Sequence, residues 1–122
     1  LSKATDIFAP RLDDLAPPLL DLIELDAAAL RARFRRTPLL RNGHSGLLRN
    51  VCVALGNWAN PAAVPALSRR LADPEPLLRG HAAWALGRIF DAAARHALDQ
   101  AWRRETDPDA RLEISLALDQ AP

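Results

Sequence analysis

The residues best suited to chemistry in this sequence are arginines in its middle third. Residues 27–72 hold eight Arg and no Asp or Glu, whereas the first 26 residues hold six acids and residues 73–122 hold nine. Guanidinium groups match the oxygen geometry of phosphate and bind it bidentately. The run therefore predicts a surface that binds RNA backbone without reading bases, the alternative being an ordinary solvated helix face. The candidates are Arg31, Arg33, Arg35, Arg36, Arg41, His44 and Arg49.

A second set of candidates lies in segments 49–50 and 79–81, which occupy comparable positions in two successive copies of an internal repeat. Their polar side chains could hydrogen-bond an RNA backbone from successive helices. The structural alternative is that Arg79 and the equivalent Arg111 pair with Asp73, Asp107 or loop carbonyls and so hold successive units together, while the others are satisfied polar groups. The sequence leaves both interpretations open for Arg49, Asn50, Arg79 and His81.

No catalytic residue or metal site is predicted. The three His residues are far apart, and no Cys or carboxylate stands beside them at ligand spacing. Cys52 lies between two valines and is predicted to be a core residue, because a nucleophilic thiol would need a base and an electropositive pocket. Of the three Trp residues, Trp84 and Trp102 are predicted to pack internally. Only Trp58 is predicted to be exposed enough to stack on a base.

The composition also restricts the compartment. One Cys excludes a disulfide framework and indicates a reducing, cytoplasmic compartment. The sequence contains no run of eighteen apolar residues, so it predicts no membrane span. The N-terminus has no signal-peptide core. The chain has no Met, even at position 1, which indicates a piece of a longer protein.

An internal repeat predicts the elements that position these side chains. The segment that starts at Leu47 recurs 31 residues later from Leu78 and again, 32 residues further on, from Ala110. The second and third copies both follow an Asp-Pro pair, and amphipathic stretches separate the copies. Asn60 is expected to cap the first of these stretches, which covers 61–71. A period in this range with two helices per unit is typical of an all-α helical solenoid, here of about three helix pairs. Gly56 and Gly87 are expected where one unit turns into the next.

The region before the repeats is divided into two parts. Residues 1–18 are predicted to be an irregular lead-in, and residues 19–46 to be basic N-terminal helices before the repeats at 47–122. Pro17 and Pro18 are expected to open a short helix over 19–23, and Asp26 to cap a helix over 27–36. Residues 43–46 are predicted to be a loop, since Gly43 suits a helix C-cap.

Several of these segments resemble a known family. Residues 73–89, Asp-Pro-Glu-Pro-Leu-Leu-Arg-Gly-His-Ala-Ala-Trp-Ala-Leu-Gly-Arg-Ile, resemble the HEAT-like repeat consensus. The Leu-Leu-Arg-Asn block at 47–50, followed by His-Ala-Ala-Trp at 81–84, is similar to the C-terminal region of epoxyqueuosine reductases. Segments 8–11, 17–22 and 34–39 follow the order found in that family ahead of its repeats.

The resemblance implies a parent oxidoreductase that reduces epoxyqueuosine to queuosine in transfer RNA. It implies cobalamin and 4Fe–4S clusters in upstream domains, with none of that chemistry in these residues. We therefore expect an accessory module that contacts the backbone of transfer RNA and the upstream catalytic domain of the same chain. We expect no contact with a membrane. The alternative is a HEAT-type scaffold for protein–protein interaction with no nucleic-acid role.

Overall fold

The computed structural model describes residues 12–38 and 43–120. Every regular element in these ranges is a helix, which confirms the all-α prediction. The helices are α1 (Leu12–Ile23), α2 (Ala27–Phe34), α3 (Gly43–Trp58), α4 (Val64–Arg70), α5 (Pro76–Ile89), α6 (Ala92–Arg104) and α7 (Pro108–Leu118), with a 3-10 turn at Pro61–Ala63 before α4.

The helices form two layers. The odd-numbered helices α1, α3, α5 and α7 pack side by side in chain order, while α4 and α6 pack against each other and cover one side of that row, and α2 contacts α3. Each helix pair thus rests on the next, as expected when single pairs are too small to bury their own apolar faces. The prediction of a HEAT-like solenoid of helix pairs is confirmed.

Side-chain caps fix where the covering helices begin. Asp26 accepts a hydrogen bond from the amide of Ala29 at the start of α2, and Asp91 accepts one from Ala94 at the start of α6. Asn60 caps the turn before α4 by accepting from Ala62. Because the first amides of a helix have no partner within it, such side chains set the starting residue. The predicted caps Asp26 and Asn60 are confirmed.

Two glycines allow the odd-numbered helices to approach closely. A Cβ on Gly87 would lie 2.8 Å from the Cβ and 2.9 Å from the Cα of Ala117, and one on Gly56 would lie 2.6 Å from the Trp84 ring. Both glycines lie inside the last turns of helices and face the next helix. The expectation that they sit at the turns between units was therefore wrong.

Two other predictions for the N-terminal part are corrected. Residues 12–18 are not an irregular lead-in, since α1 begins at Leu12 and continues through Pro17 and Pro18. Both prolines are exposed, so water can satisfy the carbonyls that lose an amide partner, while buried Ala16 and Ile23 hold the helix against the core. Residues 43–46 are the first turn of α3 and not a loop, with Gly43 at a φ of 78°.

Candidate nucleic-acid interface

Four arginines of α2 and the turn after it form a basic segment, defined here as Arg31, Arg33, Arg35 and Arg36. All four side chains are exposed, and none forms an ion pair with the residues that the structure describes. Leu30 is the one fully buried residue of α2 and anchors it to the core. The capped N-terminus and this anchor leave the guanidinium groups free to face solvent, where they can bind phosphate oxygens.

The neighbouring candidates on α3 have a mixed environment. Asn50 is exposed, whereas His44 and Arg49 are half-buried in the first two turns. Arg49 forms no ion pair within ranges 12–38 and 43–120. Because α2 contacts α3, these side chains lie on elements adjacent to the basic segment. Arg41, the remaining candidate between the two helices, lies outside the described residues.

Arg79 is engaged inside the fold. Its Nε and Nη2 atoms donate to the two carboxylate oxygens of Glu105 at 2.7 and 2.8 Å, and its Nη1 donates to the carbonyl of Asp73 at 2.8 Å. The hydrogen bond from Arg79 lowers the pKa of Glu105 and raises that of Arg79. This is the inter-unit pairing that the sequence left open, with Glu105 as the carboxylate in place of Asp73 or Asp107.

Two arginines that do belong to the acid-free stretch of residues 27–72 also have acidic partners from outside it. Arg69 pairs with Glu24, and Arg70 pairs with Asp73 at 2.6 Å while its Nε donates to the carbonyl of Ile23 at 2.6 Å. The Arg69–Glu24 pair and the hydrogen bond from Arg70 to Ile23 tie α4 to the end of α1. Among the described residues of this stretch, the unpaired positive charge therefore lies on α2, the turn after it and the start of α3, and not on α4.

His81 lies on a different kind of surface. Its Nδ1 atom is 2.8 Å from the carbonyl oxygen of Leu77, one helical turn earlier. The ring lines a groove between α5 and α7, which is also lined by Glu75, Asp107, Asp109 and Glu113. Four carboxylates along the same groove repel phosphate, so the electrostatics here disfavour an RNA backbone.

The exposure of Trp58 and Trp102 is the reverse of what the sequence predicted. Trp58 is half-buried, and its Nε1 donates to Asp13 Oδ1 at 2.6 Å, whereas Trp102 is 37% exposed. The sequence missed the first contact because α1 was not expected to reach Asp13. Trp102 is covered on one side by the Arg111 guanidinium, which lies 3.8 Å from the ring centroid.

The described side chains do not fit an iron–sulfur cluster or another metal. Cluster ligation uses several Cys thiolates, and the sequence has one Cys. Cys52 is fully buried, and burial raises the pKa of its thiol to about 12, so it is protonated at neutral pH. Among the described residues, no three His, Cys, Asp or Glu side chains converge as a metal site would require.

No helix in the described ranges is both long and apolar enough to cross a bilayer.

Comparisons with known proteins identify what the chain resembles. The family of HEAT repeats matches residues 35–119. Epoxyqueuosine reductase from Bacillus subtilis is 32% identical over 108 residues, which are 87% of this chain but 28% of that protein. A structure of the Bacillus subtilis enzyme superposes with a TM-score of 0.79 at 30% identity, covering 85% of this chain and 28% of that one.

A second solved structure is an epoxyqueuosine reductase with an epoxyqueuosine-modified tRNA-Tyr stem loop. It superposes with a TM-score of 0.78 at 31% identity over 84% of this chain and 28% of that one. The chain thus spans little more than a quarter of the length of these relatives. The resemblance expected from the repeat blocks is confirmed.

Proposed function

Because the chain belongs to the HEAT repeat family and matches one part of the epoxyqueuosine reductases, we propose that it is an accessory RNA-binding module of such a protein. In this proposal the basic segment and Arg49, together with Arg41 of the same acid-free stretch of sequence, contact the sugar–phosphate backbone of a transfer RNA. The module holds the substrate while reduction of epoxyqueuosine takes place on residues outside this chain.

The observation that carries the proposal is the unpaired state of the basic segment. Three arginines elsewhere in the described chain, Arg69, Arg70 and Arg79, pair with carboxylates. Arg31, Arg33, Arg35 and Arg36 do not, although they follow one another within six residues. Concentrated exposed guanidinium groups attract polyanions and gain affinity by releasing condensed counterions.

The relatives support transfer RNA as the polyanion. One solved relative was crystallised with a modified tRNA stem loop, and this chain matches that relative over most of its own length. Contacts to phosphate position an RNA without reading its sequence, and this is the contribution expected of an accessory domain. The iron–sulfur clusters implied by this resemblance would be held outside these residues, since a cluster needs several Cys ligands and the sequence has one Cys. We place the implied cobalamin in the same upstream domains.

The test measures binding of a fluorescently labelled anticodon stem loop to the chain by anisotropy. Affinity should fall steeply between about 50 and about 200 mM salt. The double variant Arg35→Glu/Arg36→Glu should weaken binding by at least about tenfold, equally for stem loops of different sequence.

The matched control is Arg103→Glu/Arg104→Glu, which reverses two adjacent exposed arginines at the end of α6. It changes the net charge by the same amount at a different place. If both double variants lose the same affinity, only net charge is responsible and the proposed interface is wrong.

A further inference from the structure

The groove between α5 and α7 has an apolar floor that nothing in the described chain covers. Val53, Leu77, Trp84 and Leu112 line it, and its volume is about 700 Å³. Leu77 is 50% exposed and Leu112 is 57% exposed, which is unusual for large aliphatic side chains on adjacent helices. Leu116, one turn after Leu112 on α7, extends the apolar strip and is 49% exposed.

The rim of the groove is acidic. Glu75, Asp107, Asp109 and Glu113 line it, and no Lys or Arg is among the lining residues. Asp107 also caps α7, and Glu75 accepts a hydrogen bond from Ser45, so these two have structural partners. Asp109 and Glu113 form no ion pair with the described residues, and their charges face solvent beside the apolar floor.

We propose that this groove is a docking site for a protein segment of opposite character, a cationic amphipathic helix. Its aliphatic side chains would cover Leu77 and Leu112, and its Lys or Arg side chains would pair with Asp109 and Glu113. The volume holds several side chains, as a helix-in-groove contact requires. The carboxylates disfavour an RNA backbone and equally disfavour a second copy of this acidic face.

The proposal is independent of the RNA interface. The basic segment lies on α2 and the turn after it, whereas the groove is built by α3, α5 and α7. One chain thus carries two surfaces of opposite charge, one suited to nucleic acid and one suited to a basic protein partner. Different substitutions should therefore abolish binding at each of the two surfaces.

The test uses a labelled helical peptide of Leu and Lys, with Lys on one face, and a matched peptide in which Glu replaces every Lys. The chain should bind the first peptide and not the second. Leu77→Ser/Leu112→Ser should weaken binding by about tenfold or more, because both anchors of the floor are lost. Asp109→Lys/Glu113→Lys should weaken it by a similar factor and reduce its salt dependence.

Matched controls use exposed residues of α1. Leu15→Ser removes an exposed leucine, and Asp14→Lys reverses an exposed carboxylate. Asp14 is chosen over Asp13 because Asp13 accepts a hydrogen bond from Trp58. Both should bind the peptide like the unmodified chain, and so should Arg35→Glu/Arg36→Glu. Circular dichroism checks that each variant is folded.

Three results would overturn the proposal. The groove variants could bind the Leu–Lys peptide as tightly as the controls do. The groove variants could lose stem-loop affinity while the basic-segment variant keeps it, which would make the groove an RNA site. Sedimentation could reveal a dimer that Leu77→Ser/Leu112→Ser dissociates, which would assign the face to a second copy.

Discussion

Arg79 and Glu105 form a bidentate ion pair that joins three helices. Arg79 lies in the first turn of α5, and Glu105 directly follows α6. One oxygen of the same carboxylate also accepts the amides of Thr106 and Asp107 at 3.1 and 3.0 Å, just before α7. Glu105 is the one buried charged residue of the described chain, so its loss leaves Arg79 without a counter-charge.

We expect Glu105→Gln to lower the free energy of unfolding by about 2 kcal/mol, because charge-assisted hydrogen bonds in a buried site are lost. Urea denaturation followed by circular dichroism measures the change. Glu24→Gln removes the exposed partner of Arg69 and should cost less than about 1 kcal/mol. Equal losses for both variants would contradict the structural role of the Arg79–Glu105 pair.

Stability should fall in acid. The hydrogen bond from Arg79 holds the pKa of Glu105 below its ordinary value of 4.5 in the native state, so the unfolded state binds the proton more readily. The stabilising contribution is therefore complete above pH 4.5 and is lost as the pH falls through the lowered native pKa. Urea midpoints at decreasing pH should show this loss, and Glu105→Gln should show a smaller one. If the urea midpoints of the unmodified chain and of Glu105→Gln fall in parallel with pH, Glu105 does not cause the loss of stability in acid.

The close approach of α5 and α7 predicts opposite outcomes for two glycines of α5. Gly87→Ala forces a Cβ to within 2.9 Å of the Ala117 backbone, so it should destabilise by roughly 1–3 kcal/mol despite a better helix propensity. Gly80→Ala meets the flexible Glu113 side chain at 3.4 Å and should be neutral or stabilising by up to about 1 kcal/mol. Thermal unfolding of both variants checks this, and a tolerated Gly87→Ala would contradict the packing.

The repeat architecture could be predicted from the sequence because its signals are local and recur. The Asp-Pro pairs and the Ala-Leu-Gly blocks return with the period of a helix pair, and Asp26 and Asn60 are caps that short-range patterns reveal. The helix over 19–23 was predicted, but the first part of α1, residues 12–18, was missed for the opposite reason. Its prolines argue against a helix locally, and only burial of Ala16 and Ile23 against later helices outweighs them.

The partners of the arginines could not be predicted, because they come from distant parts of the chain. Arg79 finds Glu105, which is 26 residues away, and Arg69 finds Glu24, which is 45 residues away. The acid-free run of residues therefore overstated the free positive charge of α4. The acidic groove was missed as well, since its carboxylates follow two separate Asp-Pro turns that the fold brings side by side.

Cys52 should be inert to thiol reagents in the folded protein. A thiol pKa of about 12 leaves a thiolate fraction on the order of one in ten thousand at pH 8, and the side chain is fully buried. Labelling with a chromogenic disulfide should therefore be limited by unfolding and should accelerate sharply in urea. The urea-unfolded chain is the positive control. Rapid labelling without denaturant would mean that α3 is exposed in solution.

The salt dependence of RNA binding should report how many arginines of the basic segment touch phosphate. Each contact contributes roughly 0.7 to 0.9 to the slope of log affinity against log salt, depending on whether the RNA is single- or double-stranded. Arg35→Gln/Arg36→Gln should therefore reduce the slope of stem-loop binding by roughly 1.4 to 1.8 units. Arg103→Gln/Arg104→Gln removes the same charge from α6 and should leave the slope unchanged. A slope that falls equally in both variants would mean that the RNA responds to overall charge, and the basic segment would not be its contact surface.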